Sequence, residues 1–575
     1  MLYNEPSQPA SQPASQPASQ PASQPASQPA TAPAGLPVDP RFRGWLTFPF
    51  RHTVLVVART ETALSRLLDV VSLIQHDRRI QIVFTTDPDN PAVFRAGLDE
   101  HLAALNAPTI PWAQATSTRF SLAIAASEND RLDLLDAPIL LVSHGLGHQK
   151  YYPDSDVVAG MNPARLLRGN AVVPQVIALS HAEQRADLAR ICPPAEPRAV
   201  VIGDPTLDRL LAGRFRAEGY RAVLDATGKT LIVLSSTWGP ESLLANDPTL
   251  PERVVAALPV DEFRVALLLH SGVWSAHGPW QVRAWLSRAV ELGLHLVEPA
   301  GNWQAVLAAA HCLISDEGSL ALYAAALDRP ILLVERTGAK TVIGSPLARL
   351  AERAPRLHQH HELRTQIEAA IGQYQPGTWE PVMARAVAHP GECAEVLRPL
   401  LYDLIGLPEP ADVAEFGPVP VPSRAPHRIA SMFVGVAEDD DILVLQRFPA
   451  GPSAPLLHQH IVADVDLASY RALAAASILF IDGARSEFSA RANALLAQWP
   501  RAELVGMRID EATVWIADRN GVSSVSATQP PAGFDPALLV SVVFVRRRPS
   551  PVKLRAGGRV TEVVRRPVEF GLVDG

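Results

Sequence analysis

The stretch from His311 to Val334, HCLISDEGSLALYAAALDRPILLV, limits the fold of this chain more than any other. An apolar run ends at Ser315 and Asp316, Gly318 loosens a turn, an Ala/Leu-rich segment of helical length follows, and Pro330 opens a second apolar run. The pattern predicts strand, turn, helix, strand, the unit that joins neighbouring strands of a parallel sheet. In such a unit the leading amides of the helix, those of Gly318, Ser319 and Leu320, lie beyond a strand's carboxyl end. There the free N–H groups and the helix dipole favour an anion such as a phosphate. Capping of the helix by Asp316 and Ser319 is the alternative reading of the same residues.

The same grammar recurs on both sides of this unit. Residues 41–50, with Trp45, Phe48 and Phe50, lead in to a buried strand at 53–58, an amphipathic helix at 61–74 and a second strand at 80–85. Further strands are predicted at 120–126, 139–143, 175–180 and 199–202, with a helix at 181–191 between the last two. After Gly203-Asp204-Pro205 the pattern restarts, with strands at 231–235, 263–270, 294–297, 313–315 and 331–334 and helices near 281–292, 303–310, 362–374 and 386–405. Apolar strands alternating with helices imply parallel sheets covered on both faces. The expected fold class is therefore α/β, with two doubly wound, Rossmann-like lobes at 41–205 and 206–408.

A proline-rich linker is expected at 409–426, followed by a smaller C-terminal α/β domain at 427–575. Its strand candidates are 429–436, 442–446, 477–481, 513–517 and 538–545, with an Ala-rich helix near 488–499. From Ser541 to Gly575 the chain carries eight Lys/Arg against three Asp/Glu, a local basic excess. At the other end, residues 7–30 are six tandem Ser-Gln-Pro-Ala copies, with proline at every fourth position and no charge. Such a tract cannot bury enough apolar surface to offset its ordering entropy, so 1–40 is expected to be a disordered tail.

Charge and cysteine use narrow the function. A formal net charge of −8 gives no argument for a globally basic nucleic-acid binder. Cys192, Cys312 and Cys393 are far apart, make no CxxC pair and cannot build a disulfide framework, which favours a reducing cytoplasm. No apolar run is long enough for a membrane helix and no secretory signal is visible, so the expectation is a cytoplasmic protein, with peripheral contact at the inner membrane face left open.

Ligands of open parallel sheets bind beyond the strands' carboxyl ends. Four such positions carry reactive side chains. One strand delivers His144 and Gly145 into a loop that continues to Gly147, His148 and Lys150; a second ends in Ser235, Ser236, Thr237 and Trp238; a third ends in His270; the fourth is the Asp316–Ser319 turn. Histidine suits proton transfer near neutral pH, hydroxyls and helix-end amides suit phosphate oxygens, and Lys150 could neutralise developing charge. A hydrogen-bonded turn residue is the plain structural reading of a histidine at a strand end.

With these motifs the chain from 41 to 408 resembles the two-lobed GT-B transferases, most closely the CDP-glycerol glycerophosphotransferase and polysialyltransferase-like group. The matching residues are His144-Gly145, Thr237-Trp238, His270 and Ser315-Asp316-Glu317-Gly318-Ser319. The resemblance implies that His144 and His270 form the catalytic pair, with His144 as the acceptor-activating base and His270 also on the donor's phosphates. It implies that Ser236, Thr237, Trp238, Asp316, Gly318 and Ser319 hold the nucleotide donor, with Gly145 and Lys150 in support. Where the group runs His-Gly-Thr-Pro toward a lysine, Leu146-Gly147-His148 intervenes here and Lys150 is displaced; Ser271 stands where a proline usually follows His270.

The function expected from these residues is transfer of a glycosyl or glycerophosphoryl group from a nucleotide-activated donor to an acceptor hydroxyl, with no metal and no further cofactor. The acceptor stays open between a cell-envelope polymer and a natural product. Two other readings stand beside it: an inactive GT-B scaffold acting as a binding or regulatory module, and a sugar-nucleotide epimerase, which needs a carboxylate pair that the sequence does not display.

Overall fold

The computed structural model describes residues 47–48, 50–87, 97–143, 145–152, 155–299, 301–335, 341–359, 361–424, 429–451, 459–546 and 551–567. The chain divides into Met1–Thr47 and Phe48–Gly575. Everything below concerns the second unit, and the expected tail over 1–40 lies outside the described residues.

Two parallel sheets form the first two lobes. In the first, seven strands run in the order Thr109–Pro111, Ile80–Thr86, His52–Val57, Leu122–Ala125, Ile139–Val142, Val176–Leu179 and Ala199–Val201. In the second, six run in the order His295–Val297, Phe263–Leu269, Thr230–Ser236, Cys312–Ser315, Ile331–Val334 and Arg356–Leu357. Each sheet builds outward from its first strand in one direction and then reverses, the doubly wound Rossmann-like order. The strands are unbroken apolar runs because both faces are covered. Along Thr230–Ser236, Leu231 and Val233 enter one core while Ile232 and Leu234 enter the other, as a two-residue period requires.

Helix Cys393–Ile405 follows the second lobe in sequence yet packs in the first lobe's core, where Cys393, Leu397 and Leu401 join Val54, Val56 and Leu64. The proline-rich segment after it ties both lobes together. Phe416 sits in the first core, Val419 in the second, and the Val419 and Val421 carbonyls accept from Tyr220 and Asn302 at 2.7 and 2.9 Å.

The third unit corrects two expectations. Its sheet closes into a nine-stranded barrel in the order Ser431–Asp439, Ile442–Pro449, Val552–Ala556, Arg559–Pro567, Gly521–Thr528, Thr513–Asp518, Leu504–Arg508, Ile478–Ile481 and His460–Asp464, so it is not an ordinary layered α/β domain. Leu538–Val545, expected as a strand, is a helix. It shares one core with residues from all nine strands, among them Val434, Leu445, Val462, Ile478, Leu504, Ile516, Val525, Leu554 and Val563. A segment surrounded by apolar side chains needs no polar face, and without one the helical period is invisible in sequence. The barrel is fixed to the second lobe through buried Arg447, whose guanidinium reaches Asp261 at 2.6 and 2.9 Å and Asp535 at 2.8 Å.

Among the described residues no helix is long and apolar enough to cross a membrane. Cys192, Cys312 and Cys393 are free and buried.

Candidate functional site

The second sheet reverses between Thr230–Ser236 and Cys312–Ser315, and its register pairs Ser235 with Ser315. The next residues of both strands therefore emerge side by side at the switch point, where open α/β sheets bind ligands. Asp316 Oδ2 accepts there from Thr237 N at 2.8 Å, Thr237 Oγ1 at 2.9 Å and Leu243 N at 2.8 Å. The other oxygen, Oδ1, is buried and accepts no hydrogen bond. Burial raises the Asp316 carboxyl above the usual carboxylate range, against the opposing pull of these three donors and of Lys150.

Helix Ser319–Ala326 starts immediately after this clamp, with Gly318 as its N-cap and no side-chain cap. Capping by Asp316 or Ser319 is therefore not what the turn is built for, and Asp316 instead tethers the segment Thr237–Leu243. Gly318 has φ −114°, an ordinary extended value, so backbone freedom does not explain the glycine. Proximity does, since a Cβ there would lie 2.7 Å from Thr237 Cγ2. Ser319 is exposed at the first helical position, where leading amides have no intrahelical partner.

The remaining second-lobe residues gather at the same edge. His270 N donates to Ser236 O at 3.0 Å, which sets the histidine beside the Thr237 turn. His270 Nδ1 accepts from Gly272 N at 2.9 Å and so caps helix Ser271–His277, leaving Nε2 as the nitrogen not used for capping. The half-exposed Trp238 ring stands 6.5 Å from the His270 ring. Ser236 is committed internally, its Oγ donating to Thr237 O and accepting from Leu244 N.

From the first lobe, the loop after Ile139–Val142 reaches this turn. His144 lies outside the described residues, and so does its separation from His270. Gly145 is described, and a Cβ on it would lie 3.8 Å from Ser319 Cβ. Lys150 is half-buried; burial pushes its ammonium below the usual lysine range, while Asp316, Glu317 and Glu241 pull it back. Helix Ser271–His277 also meets the first lobe, where Ser271 Oγ and Thr62 Oγ1 are 2.9 Å apart.

The sequence reading passed over the first lobe's own switch point, between His52–Val57 and Leu122–Ala125. Arg59 Nη1 donates there to Asp130 Oδ1 at 3.0 Å, and Asp130 Oδ2 is buried without a partner. Burial, with Asp87 and Glu128 nearby, pushes the Asp130 carboxyl up to about 6 although Arg59 opposes it. Glu128 accepts from Tyr152 Oη and from Gly160 N at 2.7 Å. The signal was the polar run Ser127-Glu128-Asn129-Asp130 directly after a buried strand.

Two doubly wound lobes, each presenting its switch point and meeting through the Gly145–Lys150 loop, form the two-lobed arrangement that the GT-B resemblance implies. Protein-family models give no match, and no curated protein matches. Among solved structures the chain is similar to a variant of the wall teichoic acid polymerase TagF, at TM-score 0.44 and 12% identity over 62% of this chain and 89% of that one. It is also similar to HepE of Anabaena in complex with UDP and glucose, at TM-score 0.38 and 11% identity over 62% and 100%. MnaA of S. aureus with UDP gives TM-score 0.39 and 12% identity over 63% and 100%.

Proposed function

We propose that this chain is a transferase that moves a glycosyl or glycerophosphoryl group from a nucleotide-activated donor to an acceptor hydroxyl in the cleft between its first two lobes. The observation that carries the reading is the approach of the first lobe's Gly145–Lys150 loop to the helix start of the second, where a Cβ on Gly145 would lie 3.8 Å from Ser319 Cβ. A diphosphate seated there would accept from the leading amides of helix Ser319–Ala326 and be neutralised by the Lys150 ammonium. Thr237, held by Asp316, and His270, turned by its own capping bond, border the same space. Trp238 offers a half-exposed ring of the kind that packs on a base or sugar. His144 would serve as the base for the acceptor hydroxyl, and the wall teichoic acid polymerase and the UDP-bound proteins above make nucleotide-linked donors the first ligands to try.

Calorimetric titration of the full chain with CDP, UDP, GDP and ADP, followed by CDP-glycerol and UDP-sugars, tests this. Binding of one diphosphate with clear preference over its monophosphate is expected. If none binds, the proposal fails.

A further inference from the structure

The loop that carries Lys150 is seated in the opposite lobe by two of its own residues. Leu146 is fully buried in the second lobe's core, in the cluster of Leu231, Val233, Leu322 and Leu347. Gln149, 8% exposed, is bonded at its carbonyl and at both polar atoms of its side chain. Its carbonyl accepts from Val342 N at 2.9 Å, its Oε1 accepts from Leu347 N at 3.1 Å, and its Nε2 donates to Leu146 O at 2.8 Å.

The Leu347 bond is an unusual cap. Helix Pro346–Arg353 opens with a proline that has no N–H, Ser345 Oγ accepts from Ala348 N at 3.2 Å, and Ser345 O takes Arg349 N at 3.0 Å. The Leu347 amide is thus the one donor of that first turn left for an outside acceptor, and the other lobe supplies it. Gly147 makes room for this arrangement: at φ +74°, a Cβ on it would fall 2.0 Å from Gln184 Nε2 and 2.9 Å from Gln149 Nε2. Leu146 and Gly147 belong to the stretch Leu146-Gly147-His148 where the loop departs from the pattern of the group it resembles.

We propose that Gln149 is a positioning residue: together with the Leu146 plug it clasps the loop to the second lobe and so fixes the Gly145–Lys150 segment beside the Asp316–Ser319 turn before any donor arrives. The proposal rests on the donor-site reading above for its ligand, though not for the clasp itself. A side chain that holds that segment in place acts on the phosphate nearest Lys150 and leaves contacts to the nucleoside unchanged.

The test uses the full chain and the variants Gln149→Ala and Gln149→Glu. Glutamate keeps an oxygen for Leu347 N and loses the Nε2–H given to Leu146 O. In hydrogen exchange, Gln149→Ala is expected to speed exchange at the Val342 and Leu347 amides while strands Thr230–Ser236 and Cys312–Ser315 stay protected; Gln149→Glu is expected to restore protection at Leu347. In calorimetry with CDP, UDP, CMP and UMP, Gln149→Ala is expected to weaken the preferred diphosphate about tenfold and its monophosphate hardly at all. Unchanged exchange overturns the clasp, and faster exchange with an unaltered diphosphate-to-monophosphate ratio overturns the positioning role. If the wild type binds no nucleotide, the donor-site reading falls while the exchange measurement still decides the clasp.

Discussion

Thr237 and Asp316 are joined by two hydrogen bonds across the switch point of the second sheet, at 2.8 Å from the backbone amide and 2.9 Å from the hydroxyl. The first sheet has a counterpart at the equivalent place, where Arg59 after the first strand donates to Asp130 after the strand beside it at 3.0 Å. Each lobe thus ties the two loops that leave its switch point through one buried carboxyl group. In the second lobe the partner is a neutral hydroxyl and two amides, and in the first it is a guanidinium.

Replacing Asp316 with alanine removes the shared acceptor of Thr237 N and Leu243 N. Each buried amide left unsatisfied costs about 1–3 kcal/mol. Asp316→Ala is expected to lower the thermal midpoint by several degrees and to abolish nucleotide binding measured by calorimetry, because the turn before Ser319 loses its brace. Full affinity in this variant would show that the clamp is unrelated to the ligand.

Gly318→Ala is expected to weaken nucleotide binding chiefly through the added Cβ against the Thr237 methyl at 2.7 Å, the next neighbour being Asp316 Oδ1 at 3.3 Å. With φ at −114° there is no backbone penalty, so removing the methyl should relieve the defect. The double variant Gly318→Ala, Thr237→Ser should regain much of the wild-type affinity and thermal midpoint. No recovery in the double variant would locate the cost elsewhere.

Much of this geometry could be read from residue order, and the reasons for the failures are physical. Strands such as Ile139–Val142 and Thr230–Ser236 are buried on both faces, so their apolar runs mark them directly. The polar residues after them had to lie at a sheet edge, which brought Thr237, His270 and Asp316 together before any coordinates. Gln149 and Leu146 were not legible, because nothing local says that a loop of one lobe is capped and buried by the other. Helix Cys393–Ile405 shows the same limit: its amphipathic pattern is plain, but the core that it covers is not written in the pattern. In the barrel, Gly521–Thr528 (GVSSVSAT) alternates small polar residues with valine and alanine and lacks the apolar content that marked other strands.

The lobes are also joined away from the turn, by a largely buried network. Arg66 donates to Asp204 at 2.8 and 2.9 Å and to Tyr323 Oη, and Asp69 accepts from Arg209 at 2.6 Å, from Thr206, and from Gln304 at 3.0 Å. Breaking a buried ion pair costs about 3–5 kcal/mol, and losing a hydrogen bond to a charged group, as Tyr323 Oη makes to Arg66 and Asp204, about 1.5–3 kcal/mol. Asp204→Ala should therefore shift the denaturant midpoint more than Tyr323→Phe. Equal shifts would mean that solvent reaches Arg66 and that the pair is not sealed.

The sign of the pH dependence at Asp130 follows from its surroundings. Burial raises this carboxyl to about 6, with Asp87 and Glu128 adding to the rise and Arg59 opposing it. A carboxyl that holds its proton more tightly when folded binds more protons in the native state than in the unfolded one, so unfolding free energy falls as pH climbs through the interval between the two values. The interval here runs from about 4, the unfolded carboxylate, to about 6, and the loss is complete above it. Two units at 1.36 kcal/mol each give a change on the order of 3 kcal/mol. Asp130→Asn cannot titrate, so the wild-type stability minus that of the variant should drop by this order between pH 4 and pH 7 in chemical denaturation. Two stability curves that run parallel over that range would show that Asp130 is an ordinary ionised partner of Arg59, with no proton to exchange near neutrality.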